Sequence, residues 1–236
     1  MKFSNQYISS FRQFARQGGA TFRFAKYYRQ WERCLRPGTT ALNERIPWIN
    51  FPAIDFLRRN LKPTDIVFEY GGGGSTLFFL DQVGKVITIE HNPEWFEQVA
   101  QKLTDGEKKR WEGHLILPQP GANPEMAEPS EPDHYSSADE SSSGFSFKNY
   151  VSSIDVYENK SLDLVLIDGR SRPSCIRHAA NKVKTNGLLF LDNADRTYYL
   201  EKTVDDLKDF QLLQSISAPT PFITYFVQTN IYKRIN

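Results

Sequence analysis

The sequence has few cysteines and no long apolar run. Its only cysteines, Cys34 and Cys175, are too few for a disulfide framework and lack metal-ligand spacing. No stretch approaches the ~20 apolar residues that span a bilayer, and residues 1–17 lack the continuous apolar segment of a secretory signal. The net charge of +1 gives no overall attraction to nucleic acid or acidic membranes. We therefore expect a globular, cytoplasmic protein with reduced thiols.

Charge is distributed unevenly along the chain. Residues 1–60 hold eleven Lys and Arg against three Asp and Glu, whereas residues 104–140 hold three against nine. Apolar residues recur at three- and four-residue intervals through the basic part, which predicts helices over 8–17 and 21–35. Such an arm could bind nucleic acid or anionic lipid, or it could consist of amphipathic helices with arginines in water. We predict a helical extension over residues 1–60 that packs on a core domain spanning 61–236.

From Asp65 onward, short apolar stretches alternate with amphipathic ones. The pattern predicts five buried strands with helices between them, including a helix over 196–208, and a final pair of strands over 210–235. Alternation of this kind is typical of a mostly parallel sheet covered on both faces, and the closing hairpin adds one antiparallel strand. We therefore predict a doubly wound α/β fold.

Residues 118–149 interrupt the alternation. Pro, Ser, Glu and Gly dominate this stretch, and apolar residues nearly vanish until Phe145. Loops of this length within compact domains are usually mobile, and some of them act as lids. We expect a mobile polar insertion, either a lid or a solvated excursion without function.

Four consecutive glycines, Gly71 to Gly74, follow the first predicted strand. In doubly wound sheets, ligands bind outside the carboxyl ends of the strands. A loop without side chains lets a ligand approach the backbone, and the amides of Ser75 and Thr76 lie at the start of the next helix. A plain turn would need fewer glycines, so we interpret the loop as a ligand cradle.

The spacing of the glycines excludes two common nucleotide motifs. The dinucleotide fingerprint G-x-G-x-x-G fits in neither register, and no Lys follows the glycines as a P-loop requires. The stretch instead reads E-x-G-x-G, with Glu69 at its start and Glu90 at the end of the second strand. Glu90 is placed to accept hydrogen bonds from two ribose hydroxyls, and Glu69 to accept from an ammonium group. A ribose together with an ammonium favours S-adenosylmethionine (SAM) over NAD.

The stretches "VFEYGGGGST", "VITIEHNPEWFEQV", "LDLVLIDG" and "GLLFLDN" resemble the class I SAM-dependent methyltransferases over residues 60–236. The resemblance implies a seven-stranded Rossmann-like sheet in the order 3-2-1-4-5-7-6 with strand 7 antiparallel. It also implies that the glycine loop packs on the methionine part of SAM, that Glu90 binds its ribose and that His91 flanks the adenine. The region after the third strand, "LILPQP", lacks the acidic residue that often binds the adenine amine, so the insertion could contribute there. The cofactor residues that we predict are Glu69, Tyr70, Gly71, Gly72, Gly73, Ser75, Thr76, Glu90, His91 and Asp168.

Oxygen-bearing side chains follow the fourth and fifth predicted strands. Asp168, Asp192 and Asn193 look like the metal triad of the catechol-type O-methyltransferases, which carry Mg²⁺. That resemblance implies a metal site at these three residues and catalysis by Asp168 and Asp192. The chain departs from the family at Ser171, where those enzymes have a Lys, so the general base is unassigned. Aspartates at strand ends are also common as loop caps and cofactor contacts.

Three arginines, Arg170, Arg172 and Arg177, follow the fourth strand. They could bind an anionic group of the substrate, for which we favour Arg170 and Arg172, or pair with neighbouring acids.

The sequence thus favours a SAM-dependent methyltransferase that modifies a hydroxyl of a small molecule, with Mg²⁺ as a further cofactor if the triad holds. The segment "DGRS" after the fourth strand replaces the [DNS]-P-P-[YFW] of enzymes that methylate nucleic-acid amines, which argues against nucleic acid. The alternatives are a cofactor-binding or degenerate module whose basic arm engages a partner and, less favoured, an NAD(P) oxidoreductase. The sequence also leaves open whether the protein forms a homodimer.

Overall fold

The computed structural model describes residues 11–18, 22–121 and 124–236. Within them, nine strands form a seven-stranded sheet in the order β3-β2-β1-β6-β7-β9-β8 and a small pair, β4-β5. Strand β9 runs antiparallel to both of its neighbours, and the other pairings in the large sheet are parallel. The doubly wound fold with this strand order is therefore confirmed. The strands are β1 (Ile66–Tyr70), β2 (Lys85–Glu90), β3 (Trp111–Leu115), β4 (Gln119–Pro120), β5 (Phe145–Ser146), β6 (Leu162–Ile167), β7 (Val183–Leu191), β8 (Phe210–Ala218) and β9 (Val227–Arg234).

Helices cover both faces of the large sheet, and two buried hydrophobic clusters lie on its opposite faces. Asn92 caps the helix after β2 by accepting from the Trp95 amide, and Pro93 is its first residue. The helices are α1 (residues 11–16), α2 (Phe22–Ala25), α3 (Tyr28–Cys34), α4 (Ala41–Glu44), α5 (Phe51–Asn60), α6 (Gly74–Leu80), α7 (Pro93–Lys102), α8 (Asp105–Lys108), α9 (Lys148–Ser152) and α10 (Arg172–Ala180).

The helix predicted over 196–208 was wrong. The structure has two short 3₁₀ segments there, Thr197–Tyr199 and Asp205–Leu207. The buried Thr203 hydroxyl donates to the Tyr199 carbonyl at 2.9 Å and so satisfies it within a turn. Such a side-chain bond to the backbone competes with helix propagation.

Helices of the N-terminal part pack against the sheet. The helix predicted over 8–17 lies partly outside the described residues, and the one predicted over 21–35 divides into α2 and α3. Trp31 is fully buried in the hydrophobic core, and its Nε1 donates to the Ile223 carbonyl at 3.0 Å. None of the helices in the described residues is long and apolar enough to cross a membrane.

The polar stretch 118–149 contains the β4-β5 pair and short 3₁₀ turns. Its acidic side chains meet basic residues of the core: Asp133 lies 2.7 Å from Arg177, Asp139 lies 3.4 Å from Arg170, and Glu131 pairs with Lys202. Ion pairs therefore hold this insertion against the edge of the sheet where the predicted site lies. Its mobility stays a prediction.

Candidate functional site

A cleft of about 500 Å³ opens at the carboxyl ends of β1, β2, β6 and β7. The glycine loop forms its floor, and the segments that follow β2, β6 and β7 form its sides. The cleft is lined by Ala41, Trp48, Gly71, Gly72, Gly73, Gly74, Ser75, Glu90, His91, Asn92, Trp95, Asp168, Gly169, Arg170, Asp192, Asn193, Arg196, Ile223, Tyr225 and Val227.

Two of the four glycines are required by the strands beneath the loop. Gly71 has a φ of +90°, and a Cβ there would lie 3.1 Å from the Cα of Gly169 after β6. A Cβ on Gly72 would lie 2.7 Å from the Thr88 methyl carbon on β2. The backbone of the loop therefore rests directly on its neighbours.

The last two glycines meet other parts of the chain. A Cβ on Gly73 would contact the Trp95 indole at 3.2 Å, and one on Gly74 would lie 2.2 Å from the Ile46 carbonyl oxygen and 2.4 Å from that of Ala41. The N-terminal segment thus packs backbone to backbone against the start of α6. The floor of the cleft is built from bare main chain, as the sequence predicted.

Glu90 faces the glycine loop from the end of β2. Its Oε2 accepts from the Gly72 amide at 2.9 Å, and its Oε1 accepts from the amides of His91 and Asn92 at 2.7 and 2.8 Å. Burial alone would raise the pKa of Glu90, but the His91 imidazole and these amides lower it below its ordinary value. A fixed, ionised carboxylate therefore lies across from bare backbone, and its Oε2, which accepts a single amide, can still accept from a hydroxyl donor.

A second charged group lies at the ends of β6 and β7. Arg172 pairs with the Asp168 carboxylate at 3.0 Å and donates to the Asp192 carbonyl, and Asp192 Oδ1 accepts from the Thr229 hydroxyl at 2.7 Å. Burial and the neighbouring Asp192 raise the pKa of Asp168 well above its ordinary value. Burial also raises the pKa of Asp192 to about 6. The two carboxyls line the cleft and together hold a proton more readily than free aspartates do.

No family model matches the sequence, and no curated protein matches it. The structure does match solved ones. An O-methyltransferase from Bacillus cereus in complex with S-adenosylhomocysteine (SAH) has a TM-score of 0.56 at 11% identity, covering 87% of this chain and 96% of that one. A methyltransferase from Geobacter sulfurreducens has a TM-score of 0.52 at 15% identity, covering 91% and 96%. A Streptococcus mutans protein in complex with SAH has a TM-score of 0.51 at 12% identity, covering 77% and 94%.

The chain has the class I methyltransferase fold. The resemblance inferred from the sequence is thus confirmed at the level of the fold. Seven of the predicted cofactor residues line the cleft where this fold binds ligands: Gly71, Gly72, Gly73, Ser75, Glu90, His91 and Asp168.

Three predicted cofactor residues lie behind the wall of the cleft in this methyltransferase fold. Glu69 is fully buried, and its Oε1 accepts from the hydroxyls of Thr76 and Thr88, which places both partners beneath the loop. Tyr70 points to the opposite face of the sheet, where its hydroxyl donates to the Val151 carbonyl at 2.6 Å. Burial raises the pKa of Glu69 to about 7. Glu69 and Thr76 thus support the loop from below, whereas Tyr70 packs on the other side of the sheet.

The predicted Mg²⁺ triad gains no support. Asp168, Asp192 and Asn193 all line the cleft. However, the carboxylate of Asp168 is paired with Arg172, and Asp192 Oδ1 with Thr229. Within the described ranges, no group of three His, Cys, Asp or Glu is arranged to hold a metal ion. The positive charge of Arg172 beside Asp168 disfavours a divalent cation at these residues.

The two arginines predicted to bind substrate have different surroundings. Arg170 lines the cleft, whereas Arg172 is 6% exposed and donates to the carbonyls of Gly169, Asp168 and Asp192 as well as to the Asp168 carboxylate. Arg172 thus ties the ends of β6 and β7 together. Its donors are used within the protein, which is contrary to a substrate-binding role.

Sequence reasoning missed several residues of the cleft. Ala41 and Trp48 come from the N-terminal segment, Ile223 and Tyr225 from the turn between β8 and β9, and Arg196 from the loop after β7. Arg196 carried a local signal, since it lies four positions after Asp192 in the same strand-end loop. The other four come from distant parts of the sequence, so only the folded chain brings them to the site.

Proposed function

We propose that this protein is a SAM-dependent methyltransferase. The observation that carries the proposal is the ionised Glu90 carboxylate facing a side-chain-free glycine loop at the ends of β1 and β2. The fold supports it, and the similar structures from Bacillus cereus and Streptococcus mutans contain SAH.

The residues present fit the cofactor. Glu90 would bind the ribose, because its Oε2 accepts only the Gly72 amide and keeps a lone pair for a ribose hydroxyl, whereas its Oε1 already accepts two amides. Gly72 and Gly73 would accommodate the methionine part, since both line the cleft and carry no side chain. His91 and Asn92 line the cleft beside Glu90, where the adenine would lie. When bound, SAM supplies a methyl group on a sulfonium. The methyl carbon is electrophilic, and in-line attack on it displaces the sulfur.

A small hydroxylated molecule is the acceptor that we favour. Asp168 and Asp192 line the cleft beyond the glycine loop, and Asp192, whose pKa is raised only to about 6, is the member of the pair that is ionised near neutral pH and can take the proton of a hydroxyl. We assign them this role, with Arg172 holding the pair in place. Alignment of the acceptor and removal of one proton account for the chemistry that the protein must supply.

Titration of the purified protein with SAH in a calorimeter tests the proposal. We expect micromolar binding to the wild type and at least a tenfold loss in Glu90→Gln, because a side-chain amide has one acceptor oxygen and cannot accept from a ribose hydroxyl as well as from the three backbone amides. The matched control is Glu97→Gln, an exposed glutamate on α7 outside the cleft. Circular dichroism verifies that each variant is folded.

A lack of heat at millimolar SAH would refute the cofactor assignment and leave the degenerate-module alternative. If SAH binds, methyl transfer from deuterium-labelled SAM to a panel of hydroxylated acceptors and matched amines, read by mass spectrometry, tests O-methylation. Transfer to amines alone would contradict the hydroxyl assignment.

A further inference from the structure

We propose that the acceptor carries an oxyanion, a carboxylate or phosphate, which binds to Arg170 and Arg196 in the half of the cleft away from the glycine loop. The inference rests on the proposed methyltransferase function and names the substrate class. It assigns a binding role to Arg196, a residue for which the sequence suggested none.

The arginines of this protein differ in how their donors are used. Buried Arg172 and Arg234 donate mainly to backbone carbonyls, and each also pairs with an aspartate. Arg170 forms one ion pair at 3.4 Å, and its buried Nε has no hydrogen-bond partner among the described residues. Arg196 donates to the Tyr199 hydroxyl at 3.0 Å, and no carboxylate of the described chain forms an ion pair with it. Both of these cleft arginines thus retain donors for a ligand.

The charge balance of the cleft favours an anion at these arginines. Arg172 neutralises much of the Asp168–Asp192 pair, which shares protons because it is buried. Glu90 lies at the other end, against the glycine loop. Positive charge on Arg170 and Arg196 therefore remains on the acceptor side, and the planar guanidinium group matches two oxygens of a carboxylate or phosphate.

An anion of the protein itself already lies near both arginines. Asp139 of the insertion is 3.4 Å from Arg170. The Ser141 hydroxyl, followed by the charges of Arg170 and then Arg196, lowers the pKa of Asp139. A carboxylate is thus stabilised at this place in the free protein, and an acceptor oxyanion would replace Asp139 at Arg170.

Aromatic side chains at the mouth indicate the shape of the rest of the acceptor. Trp48 and Tyr225 line the cleft although they are 46% and 59% exposed, and Trp48 is held by edge contact with Phe222 at 6.0 Å. Exposed rings beside a polar floor suit a flat apolar body. We therefore expect an aromatic acid whose hydroxyl points toward Asp168 and Asp192.

The transfer balances with these groups alone. The acceptor oxygen forms a bond to the methyl carbon as the bond from that carbon to the sulfonium breaks. The hydroxyl proton passes to the carboxyl pair and then to water, and the sulfur leaves as neutral SAH. The oxyanion at the two arginines takes no part in bond making and fixes the distance of the hydroxyl.

Three matched probes test the subsite: 3,4-dihydroxybenzoate, its neutral amide 3,4-dihydroxybenzamide, and 4-hydroxyphenyl phosphate. Binding is measured by calorimetry to SAH-saturated protein and to protein without SAH. We expect an acidic probe to bind at least about tenfold more tightly than the amide, and Arg170→Gln and Arg196→Gln each to lose about tenfold for the acids with less than a twofold change for the amide. The carboxylate and phosphate arms show which oxyanion fits.

Three further variants sharpen the result. Asp139→Asn removes the internal competitor, so the acid should bind several-fold more tightly. Arg177→Gln removes an arginine of α10 that also pairs with the insertion but lies outside the cleft, and it should leave acid binding unchanged. Arg170→Lys keeps the charge without the planar fork and should recover part of the loss. Thermal melts verify that all variants are folded.

The outcomes separate the two proposals. The oxyanion subsite is refuted if SAH binds but the acids bind no more tightly than the amide, or if the arginine variants bind the acids as tightly as the wild type does. The methyltransferase assignment then stands. If SAH does not bind but the protein without SAH still prefers the acids in an arginine-dependent way, the subsite stands and the cofactor assignment fails.

Discussion

Glu69 carries a buried carboxyl beneath the glycine loop. Its contribution to the free energy of unfolding depends on pH. Burial raises its pKa from 4.5 to about 7. A carboxyl with a raised pKa in the folded state contributes stability that is fully present below the unfolded value and is lost as the pH rises through the folded value. The loss therefore falls between about pH 4.5 and 7.

Glu69→Gln should remove this dependence. The amide keeps the acceptor for the hydroxyls of Thr76 and Thr88 but cannot ionise. Relative to the variant, the wild type should lose about 2 kcal/mol of unfolding free energy between pH 5 and pH 8. Urea denaturation of both proteins at each pH measures this, and because the other titrating groups are common to both, the difference reports Glu69. Exposed Glu94→Gln is the control, and parallel pH profiles for wild type and Glu69→Gln would contradict the expectation.

The two glutamates show what can be predicted from sequence at the scale of a residue. Glu90 ends a strand whose side chains alternate, and its placement at the cleft followed from that position. Glu69 was expected to meet the ligand because it lies beside the loop in sequence. It points below the loop instead, since hydroxyls on α6 and β2 bind it there. Which side of the loop a side chain takes depends on partners that a local motif does not contain.

At the scale of elements, the start of α6 depends on contact with the N-terminal segment. A Cβ on Gly74 would collide with the carbonyl oxygens of Ile46 and Ala41, which are backbone atoms that cannot rotate away. Gly74→Ala should therefore destabilise the fold by about 2–3 kcal/mol as an overpacking change. Gly106→Ala on α8 is the matched control, since nothing lies within 4 Å of its added carbon, and it should be neutral or stabilise by up to about 1 kcal/mol.

Chemical denaturation of both alanine variants measures the difference. A Gly74→Ala protein as stable as Gly106→Ala would show that the N-terminal segment does not press on the loop. If the glycine loop were only a flexible spacer, alanine would be tolerated at Gly74 as well as at Gly106. The comparison therefore also tests whether packing requires a glycine at position 74.

Elements were predictable where hydrophobic periodicity was strong. Strands β1, β2 and β6 and helix α7 lie where apolar pattern and capping residues placed them. Periodicity failed after β7, because Arg196 to Thr203 meet backbone and side-chain partners that close turns in place of a helix. The local pattern there is compatible with either structure, and tertiary contacts select between them.

At the scale of the molecule, the cleft depends on parts of the chain that are far apart in sequence. Its floor and Glu90 were predictable, since consecutive strand ends meet at one edge of the sheet. Trp48 and Tyr225 were not, because they reach the mouth from opposite ends of the chain. The residues on the acceptor side of the cleft therefore could not be predicted from the sequence, because the N-terminal segment and the β8–β9 turn meet only in the folded chain.

Asn50 joins these distant parts. It is fully buried, its Nδ2 donates to the carbonyls of Ile216 and Val227 at 2.9 and 3.1 Å, and its Oδ1 caps α5 by accepting from the Ala53 amide at 3.0 Å. We expect Asn50→Ala to destabilise the protein by about 3 kcal/mol, because it removes a helix cap and the side-chain donor to two carbonyls of β8 and β9.

The N-terminal helices and the sheet should then unfold together. Tryptophan fluorescence reports Trp31 and Trp48 in the N-terminal part and Trp95 and Trp111 on α7 and β3, and far-UV circular dichroism reports the whole chain. Both signals should shift to one lower urea midpoint in Asn50→Ala, while Asn60→Ala, which removes an exposed bond to Phe56, should leave it unchanged. Two separate transitions would mean that residues 1–60 are an independent unit, and the part of the cleft wall that they form would then be free to leave the site.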